Sequence, residues 1–249
     1  MRIERLIAGW FTAPAGIFRR GEPMDRTIRY PVPAYLIETE TERILVDTGL
    51  NPAAIADPAA YYDRPDIFSA IRIDQEQSVA DQVDVGTLTK VVLTHLHWDH
   101  VGGLHLIPPS VPVVVQRREW EAGHDEGAVR RNSFLPRDYA GREREPVLLD
   151  GDHDLLGDGS VELLSTPGHT PGHQSLRLGE LVLGIDVVHF ASGLDDHRFP
   201  IFADDHEQQA QSAVRLRELR DRGATVVPGH DPELIRPDVT FLPSRGSSQ

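Results

Sequence analysis

His95-Leu96-His97-Trp98-Asp99-His100 places four potential metal ligands within six positions of the chain. The run follows Lys90–Thr94, a segment whose β-branched residues predict a buried strand. Side chains two residues apart on an extended backbone point the same way, so His95 and His97 can face one point. A single tetrahedral ion seldom draws four ligands from so short a run, whereas two adjacent ions share such sites. The run therefore predicts a two-metal site at the end of a strand.

Three more ligand candidates lie at the ends of other predicted strands. They are His169, Asp186 and His230, and each follows a glycine within two residues, which lets the backbone turn tightly. A carboxylate such as Asp186 can bridge two ions through its two oxygens. Any one of these residues alone would be an ordinary loop or turn residue. Their importance as ligand candidates depends on the dense run.

The pattern of elements predicts a sheet-on-sheet core covered by helices. Ala34–Thr39 and Arg43–Asp47 have the pattern of a hairpin. Asp205–Arg222 is the clearest helix, with an aspartate to cap its start and Gly223 to end it. Both halves of the chain contain several strands followed by a helix, which fits two packed sheets better than one alternating parallel sheet. No linker divides the chain, so we expect one domain over residues 1–249.

Composition restricts the partners and the ligands. The 249 residues carry a formal net charge of −14, which disfavours nucleic acid and anionic membranes as partners. There is no cysteine, so a metal would be held by nitrogen and oxygen atoms. No segment has the roughly 18 consecutive apolar residues of a membrane span, and the N-terminus does not resemble a signal peptide. We expect a cytoplasmic protein, monomeric or homodimeric, that acts on a small molecule.

The motif and its flanking segments resemble those of the metallo-β-lactamase superfamily, whose hallmark is H-x-H-x-D-H. Within it, the chain is similar to the N-acyl homoserine lactonases, the quorum-quenching enzymes. The segments that carry this likeness are Tyr35–Glu40, Ile44–Gly49, Val113–Arg117 with Glu119, Thr166–Leu176 and Gly229–Asp231. The resemblance implies an αβ/βα four-layer sandwich of the α+β class.

The resemblance also implies a ligand assignment. His95, His97 and His169 would hold one zinc ion. Asp99, His100 and His230 would hold the second, with Asp186 bridging the two. Zinc is the default metal for such ligands, although manganese, cobalt or iron could replace it. Asp47 and Thr94 would orient the imidazoles from behind, although Asp47 could instead only cap its turn.

The expected reaction is the opening of a lactone ring by a hydroxide that bridges the two metals. Asp99 could shuttle a proton. The family carries a tyrosine three residues after the bridging aspartate, where this chain has His189. This histidine could contact the substrate carbonyl or assist the leaving group, or it could be structural. His173 is expected to be structural.

Other functions remain open at this point. His189 raises the alternative of a related lactonase, an aryl esterase or an organophosphate hydrolase. A non-catalytic metal-binding module would not need the complete set of seven ligands, and redox relatives carry glutamate where this chain has His97. For an acyl chain, residues in presumed loops near the site could form an apolar groove. They are Trp10, Phe11, Phe18, Ile67 and Phe68.

Overall fold

Two β-sheets form the centre of the protein. The computed structural model describes residues 1–141 and 145–238. The first sheet has the strand order β4-β1-β2-β3-β5-β6-β7 and the second has the order β12-β11-β10-β9-β8. The strands are β1 (Arg2–Pro14), β2 (Thr27–Glu38), β3 (Arg43–Val46), β4 (Arg72–Asp74), β5 (Lys90–Val92), β6 (Val113–Gln116), β7 (Val147–Leu149), β8 (His153–Asp154), β9 (Glu162–Ser165), β10 (Gln174–Leu178), β11 (Leu181–Ile185) and β12 (Thr225–Pro228).

Short helices and one long helix surround the sheets. They are α1 (Ala15–Phe18), α2 (Pro58–Tyr62), α3 (Pro65–Phe68), α4 (Val79–Gln82), α5 (Trp98–Val101), α6 (Arg117–Ala122), α7 (Glu126–Arg131), α8 (Gly193–Asp196) and α9 (His206–Asp221). The described ranges also contain 3₁₀ turns at Pro52–Ala54, Val85–Thr87, Gly102–Leu106 and Pro136–Asp138. Among the described residues, no helix combines the length and the apolar character that a membrane span requires.

The sheets pack face to face and each is covered by helices on its other side. Aliphatic side chains of both sheets fill the space between them, including Ile37 and Val92 of the first sheet and Leu176 and Leu183 of the second. A second cluster packs the outer face of the first sheet against its helices and turns. A third packs α8 and α9 on the outer face of the second sheet. The predicted four-layer sandwich is confirmed.

Most predicted elements are present within one or two residues. The Asp205 carboxylate caps α9 by accepting the backbone N–H groups of Glu207 and Gln208. The strand predicted before the motif is also found, as β5. The segment 124–145 contains α7 and one 3₁₀ turn, and its residues 142–144 lie outside the described part. Residues 239–249 of the predicted domain lie outside it as well.

The N-terminal strand is the main correction. Trp10 and Phe11, expected in a loop, lie on β1, the longest strand. The register between β1 and β2 shifts between Ile7 and Trp10, and Gly9 has a φ of 140° there. This irregularity breaks the alternation of apolar and polar residues that marks a strand in sequence.

Candidate metal centre

The seven predicted ligands converge where strand ends of the two sheets meet. The motif begins three residues after the end of β5 of the first sheet. The second sheet supplies His169 from the loop between β9 and β10, Asp186 directly after β11 and His230 two residues after β12. Because β11 and β12 run parallel, Asp186 and His230 leave the sheet at the same edge. All seven side chains are buried.

Four residues form a first donor group: His95, His97, His169 and Asp186. The Nδ1 atom of His97 lies 3.1 Å from Nε2 of His95 and 3.0 Å from Nε2 of His169. Asp186 Oδ2 lies 3.7 Å from His95 Nε2 and 3.4 Å from His169 Nε2. Three imidazole nitrogens and a carboxylate oxygen therefore face one point.

Asp99, His100 and His230 form a second donor group. The Nε2 atoms of the two histidines are 3.4 Å apart, and Asp99 Oδ2 lies 3.7 Å from His100 Nε2 and 3.5 Å from His230 Nε2. Asp186 also reaches this group, with Oδ1 at 3.1 Å from His230 Nε2. The same carboxylate thus adjoins both groups.

The second ring nitrogen of four histidines is held by an oxygen atom. His97 Nε2 donates to the carbonyl of Asn132 at 2.9 Å, and His230 Nδ1 donates to the carbonyl of Pro31 at 2.8 Å. His95 Nδ1 contacts the Thr94 hydroxyl at 3.0 Å, and His100 Nδ1 contacts Asp47 Oδ2 at 2.8 Å. A neutral imidazole has one N–H, so in a ring that is neutral the bond to this oxygen leaves a lone pair on the nitrogen that faces the donor group.

Asp47 and Thr94 lie directly behind the ligand candidates. Asp47 Oδ1 accepts the Thr94 backbone N–H and Oδ2 accepts the Thr94 hydroxyl, each at 2.8 Å. The hydroxyl can then accept from His95 Nδ1. Asp47 sits in the left-handed region, with a φ of 59°, just after β3. One carboxylate therefore links a histidine of each donor group.

Burial and neighbouring charges shift the pKa values of the histidines in different directions. Burial lowers the pKa of both His95 and His97 well below the usual histidine value, so both rings are neutral. Burial alone would also lower the pKa of His100, but the surrounding carboxylates raise it well above that value. Burial raises the pKa of Asp99. For Asp186 the neighbouring histidines outweigh burial and hold the pKa well below its ordinary range.

His189 and His173 differ in their surroundings. His189 Nε2 lies 3.3 Å from Asp186 Oδ2, and its Nδ1 is buried without a hydrogen-bond partner among the described residues. Burial lowers its pKa well below the usual value. His173 instead accepts the backbone N–H of Asp186 through Nε2 at 3.2 Å, and its Nδ1 lies 3.1 Å from the Thr166 hydroxyl. Both nitrogens of His173 are therefore used within the protein.

Glu119 is a functional candidate that the residue pattern did not indicate. Its side chain is fully buried and accepts the backbone N–H of Leu96 at 2.9 Å and that of Gly172 at 2.7 Å. Burial raises its pKa to about 7. In the sequence it appears only as an acidic residue in the first turn of a helix, which is an ordinary position for glutamate. Its presence in one of the segments resembling the lactonases was the only available signal.

A largely apolar cavity of about 200 Å³ opens beside both donor groups. Its floor includes His97, Asp99, Asp186 and His189. The apolar lining residues are Ile17, Phe18, Ile67, Ile71, Trp98 and Phe202. Of the residues expected to form an apolar groove, only Phe18 and Ile67 line this cavity. Phe11 and Phe68 pack behind Trp98, and Trp10 lies at another surface under the Arg29 guanidinium.

The donor set has the chemistry of a divalent metal site. The lone pairs on His95 Nε2 and His97 Nδ1, which are 3.1 Å apart, would repel one another without a cation between them. Asp186 Oδ1 is buried, and no residue in the described ranges donates a hydrogen bond to it. Buried carboxylates and facing lone pairs are stabilised by a bound cation, and imidazole with carboxylate suits first-row divalent metals. The residues present therefore fit a divalent metal.

Known proteins share both the sequence pattern and the fold. Residues 27–230 match the metallo-β-lactamase superfamily. An N-acyl homoserine lactonase from a Bacillus species is 31% identical over 228 residues, covering 87% of this chain and 86% of that protein. The N-acyl homoserine lactonase AttM of Rhizobium radiobacter is 30% identical over 219 residues, covering 82% of each chain.

A solved structure gives the same relationship. An N-acyl homoserine lactone hydrolase with the product N-hexanoyl-L-homoserine bound at its catalytic metal centre has a TM-score of 0.82 at 26% identity. The match covers 93% of this chain and 94% of that chain. This chain therefore belongs to the metallo-β-lactamase superfamily, and the relatives it matches there are lactonases, which hydrolyse ester bonds.

Proposed function

We propose that this protein is a dinuclear-metal hydrolase that opens the lactone ring of N-acyl homoserine lactones. The observation that carries the proposal is the pair of donor groups that share Asp186 at the floor of an apolar cavity. Lactonase relatives above 80% coverage support the choice of substrate. The cavity can receive an apolar acyl chain, and its floor brings the ester bond to the donor groups.

The first donor group would hold one ion and the second group the other, with Asp186 between them. Zinc is the expected metal in both, and manganese, cobalt or iron could replace it. Bound there, the two ions would supply Lewis acidity, which makes hydroxide available near neutral pH and polarises the lactone carbonyl.

The chain's own residues would orient the substrate and move protons. Asp99 lines the cavity and lies beside His100 and His230, so its carboxylate can take a proton from the attacking water. The carboxylate would pass that proton to the alkoxide of the opened ring. The apolar walls would exclude bulk water from this transfer.

His189 would act at the leaving group or the carbonyl. It lines the cavity and approaches Asp186 at 3.3 Å. Burial favours its neutral form, in which one ring nitrogen donates and the other accepts. A neutral imidazole can therefore donate a hydrogen bond to a substrate oxygen from this position. We assign His189 to the catalytic residues together with Asp99.

One assay tests the proposal directly. Purified protein is given lactones of varied acyl length in weakly buffered solution, and acid release is followed while metal content is measured on the same sample. We expect two equivalents of divalent metal and ring opening that stops after chelation and returns with added zinc. Ring opening in metal-free protein, or no opening of any lactone, would overturn the proposal.

Aryl esters and phosphotriesters are the second substrate candidates. This alternative is motivated by His189. The resemblance to the lactonases implies a tyrosine at this position, so the side chain expected to face the scissile bond is a different one here. The same sample should be offered an aryl acetate and an aryl phosphotriester. Turnover of these exceeding that of every lactone would move the assignment to this alternative.

A further inference from the structure

Glu119 connects the two loops that carry the histidines of the first donor group. Its Oε1 accepts the N–H of Leu96, which lies between His95 and His97. Its Oε2 accepts the N–H of Gly172, three residues after His169. The first loop extends from the first sheet and the second loop from the second sheet. A single carboxylate thus bonds to both loops.

The contact is close and isolated from solvent. Glu119 is fully buried. A Cβ at Gly172 would overlap the backbone nitrogen of Glu119, so the second loop approaches the start of α6 as closely as glycine permits. Within the described part of the chain neither backbone N–H has another acceptor, and water cannot replace the carboxylate at a fully buried position. The positions of both loops therefore depend on this side chain.

We propose that Glu119 is a positioning residue that sets the separation between His169 and the pair His95 and His97, and thereby the metal affinity of the first donor group. This inference rests on the proposed function, because it assumes that the group binds metal. The second donor group is held differently, through Asp47 behind His100 and the Pro31 carbonyl behind His230. Glu119 touches neither of those histidines in the hydrogen bonds of the described residues, so its effect is confined to one group.

Glu119→Gln is the sharpest variant. The amide keeps the size of the side chain but offers one oxygen and one NH₂ group, so one of the two backbone N–H groups faces a donor. Glu121→Gln makes the same chemical change at an exposed position of the same helix and serves as the matched control.

Two variants that each retain one intact donor group show which group loses zinc affinity when Glu119 is changed. His230→Ala removes a ligand of the second group, and His169→Ala removes a ligand of the first. Zinc affinity is measured by competition with a chromogenic chelator, and folding by circular dichroism. We expect Glu119→Gln to weaken zinc binding by about 10–100-fold in the His230→Ala background and to leave it unchanged in the His169→Ala background. Glu121→Gln should change neither.

The outcomes separate this inference from the proposed function. If the unmodified protein binds no zinc, the proposed function fails. If it binds two equivalents and Glu119→Gln weakens neither group, or weakens both equally, only the positioning role fails. Should Glu119→Gln not fold, Glu119→Asp keeps both oxygens on a shorter side chain, and wild-type zinc affinity in the His230→Ala background would overturn the inference.

Discussion

Asp47 Oδ2 accepts the Nδ1 hydrogen of His100 at 2.8 Å from a residue whose backbone is left-handed, with a φ of 59°. Asparagine tolerates this backbone conformation, so Asp47→Asn changes the charge and one acceptor but adds little backbone strain. We expect about 10–100-fold weaker binding of one metal equivalent, because His100 loses the partner that orients its ring. Chelator competition measures the change.

A matched control is Asp63→Asn. Asp63 is also left-handed, with a φ of 54°, but it is exposed at the end of α2. Metal affinity should be unaffected there. If Asp47→Asn bound both metals as tightly as this control does, Asp47 would only cap its turn.

Removing the ring nitrogens of His189 should lower turnover without removing metal. His189→Phe keeps an aromatic ring in the cavity but can neither donate nor accept a proton. We expect kcat to fall about 100-fold, the lower end of the contribution of a general acid or base. Metal content should stay at the wild-type value. Exposed His153 supplies the control substitution, His153→Phe.

Two results would contradict this role of His189. Unchanged kcat would make it structural. Loss of one metal equivalent would instead make it a ligand, in agreement with its position in a third cluster with Asp186 and His230.

Ile67 should contribute to binding of the acyl chain and not to chemistry. It lines the cavity from α3. Ile67→Ala removes three side-chain carbon atoms, so kcat/KM for a long-chain lactone should fall by up to about 50-fold, since each buried methylene contributes about 0.8 kcal/mol. The loss should appear in KM, since the contact is equal in the ground and transition states. Ile201→Ala, at an exposed position, should have no effect, and an equal effect of both variants would exclude specific contact with the chain.

The loop that carries His169 should not tolerate a side chain at Gly168. This glycine has a φ of 125°, and a Cβ would overlap the backbone of Gln209 in α9. Gly168→Ala should lower the free energy of unfolding by about 3 kcal/mol or more, because neither backbone can move cheaply. Gly179 is also left-handed, with a φ of 65°, but has open space around it. Gly179→Ala should cost only about 1 kcal/mol in urea unfolding, and equal costs would mean that the loop can move away.

His173 should make the metal-free protein less stable as the pH falls. Burial lowers its pKa from 6.5 to about 3, so between these values the unfolded chain binds a proton that the folded chain does not. Its stabilising contribution is complete above pH 6.5 and is lost as the pH falls toward 3, by about 1.4 kcal/mol per pH unit. In His173→Gln this dependence is absent. The difference in unfolding free energy between the two proteins should therefore shrink by about 2 kcal/mol from pH 6.5 to pH 5. An unchanged difference would mean that His173 titrates normally.

The ligand candidates could be found from sequence because each follows a strand end, where a local pattern of glycine and β-branched residues fixes the position. The supporting contacts could not be found in this way. His97 is held by the carbonyl of Asn132 and His230 by that of Pro31, and a backbone carbonyl has no residue-type signal. Glu119 was hidden for a related reason, since its partners are backbone N–H groups.

The N-terminal strand shows the other limit. The register of β1 shifts at the bulge near Gly9, so its apolar residues change from one face of the sheet to the other there. A search for alternating apolar and polar residues would therefore predict two short strands at most. The residues that line the cavity could not be predicted from local sequence patterns either. Phe18 and Ile67 meet there only because segments distant in the sequence fold together. Phe11 was expected in the same groove, but it packs against the ring of His230 outside the cavity lining.

The order in which the donors occur along the chain has a consequence for biosynthesis. His95 is made early, but the second donor group is incomplete until His230 leaves the ribosome, 130 residues after its partner His100. A growing chain can therefore present a partial set of imidazoles and carboxylates but not the finished pair of groups. The complete metal complement can therefore be acquired only after residue 230 has been made, and a product truncated before that residue would lack it even if its sheets had formed.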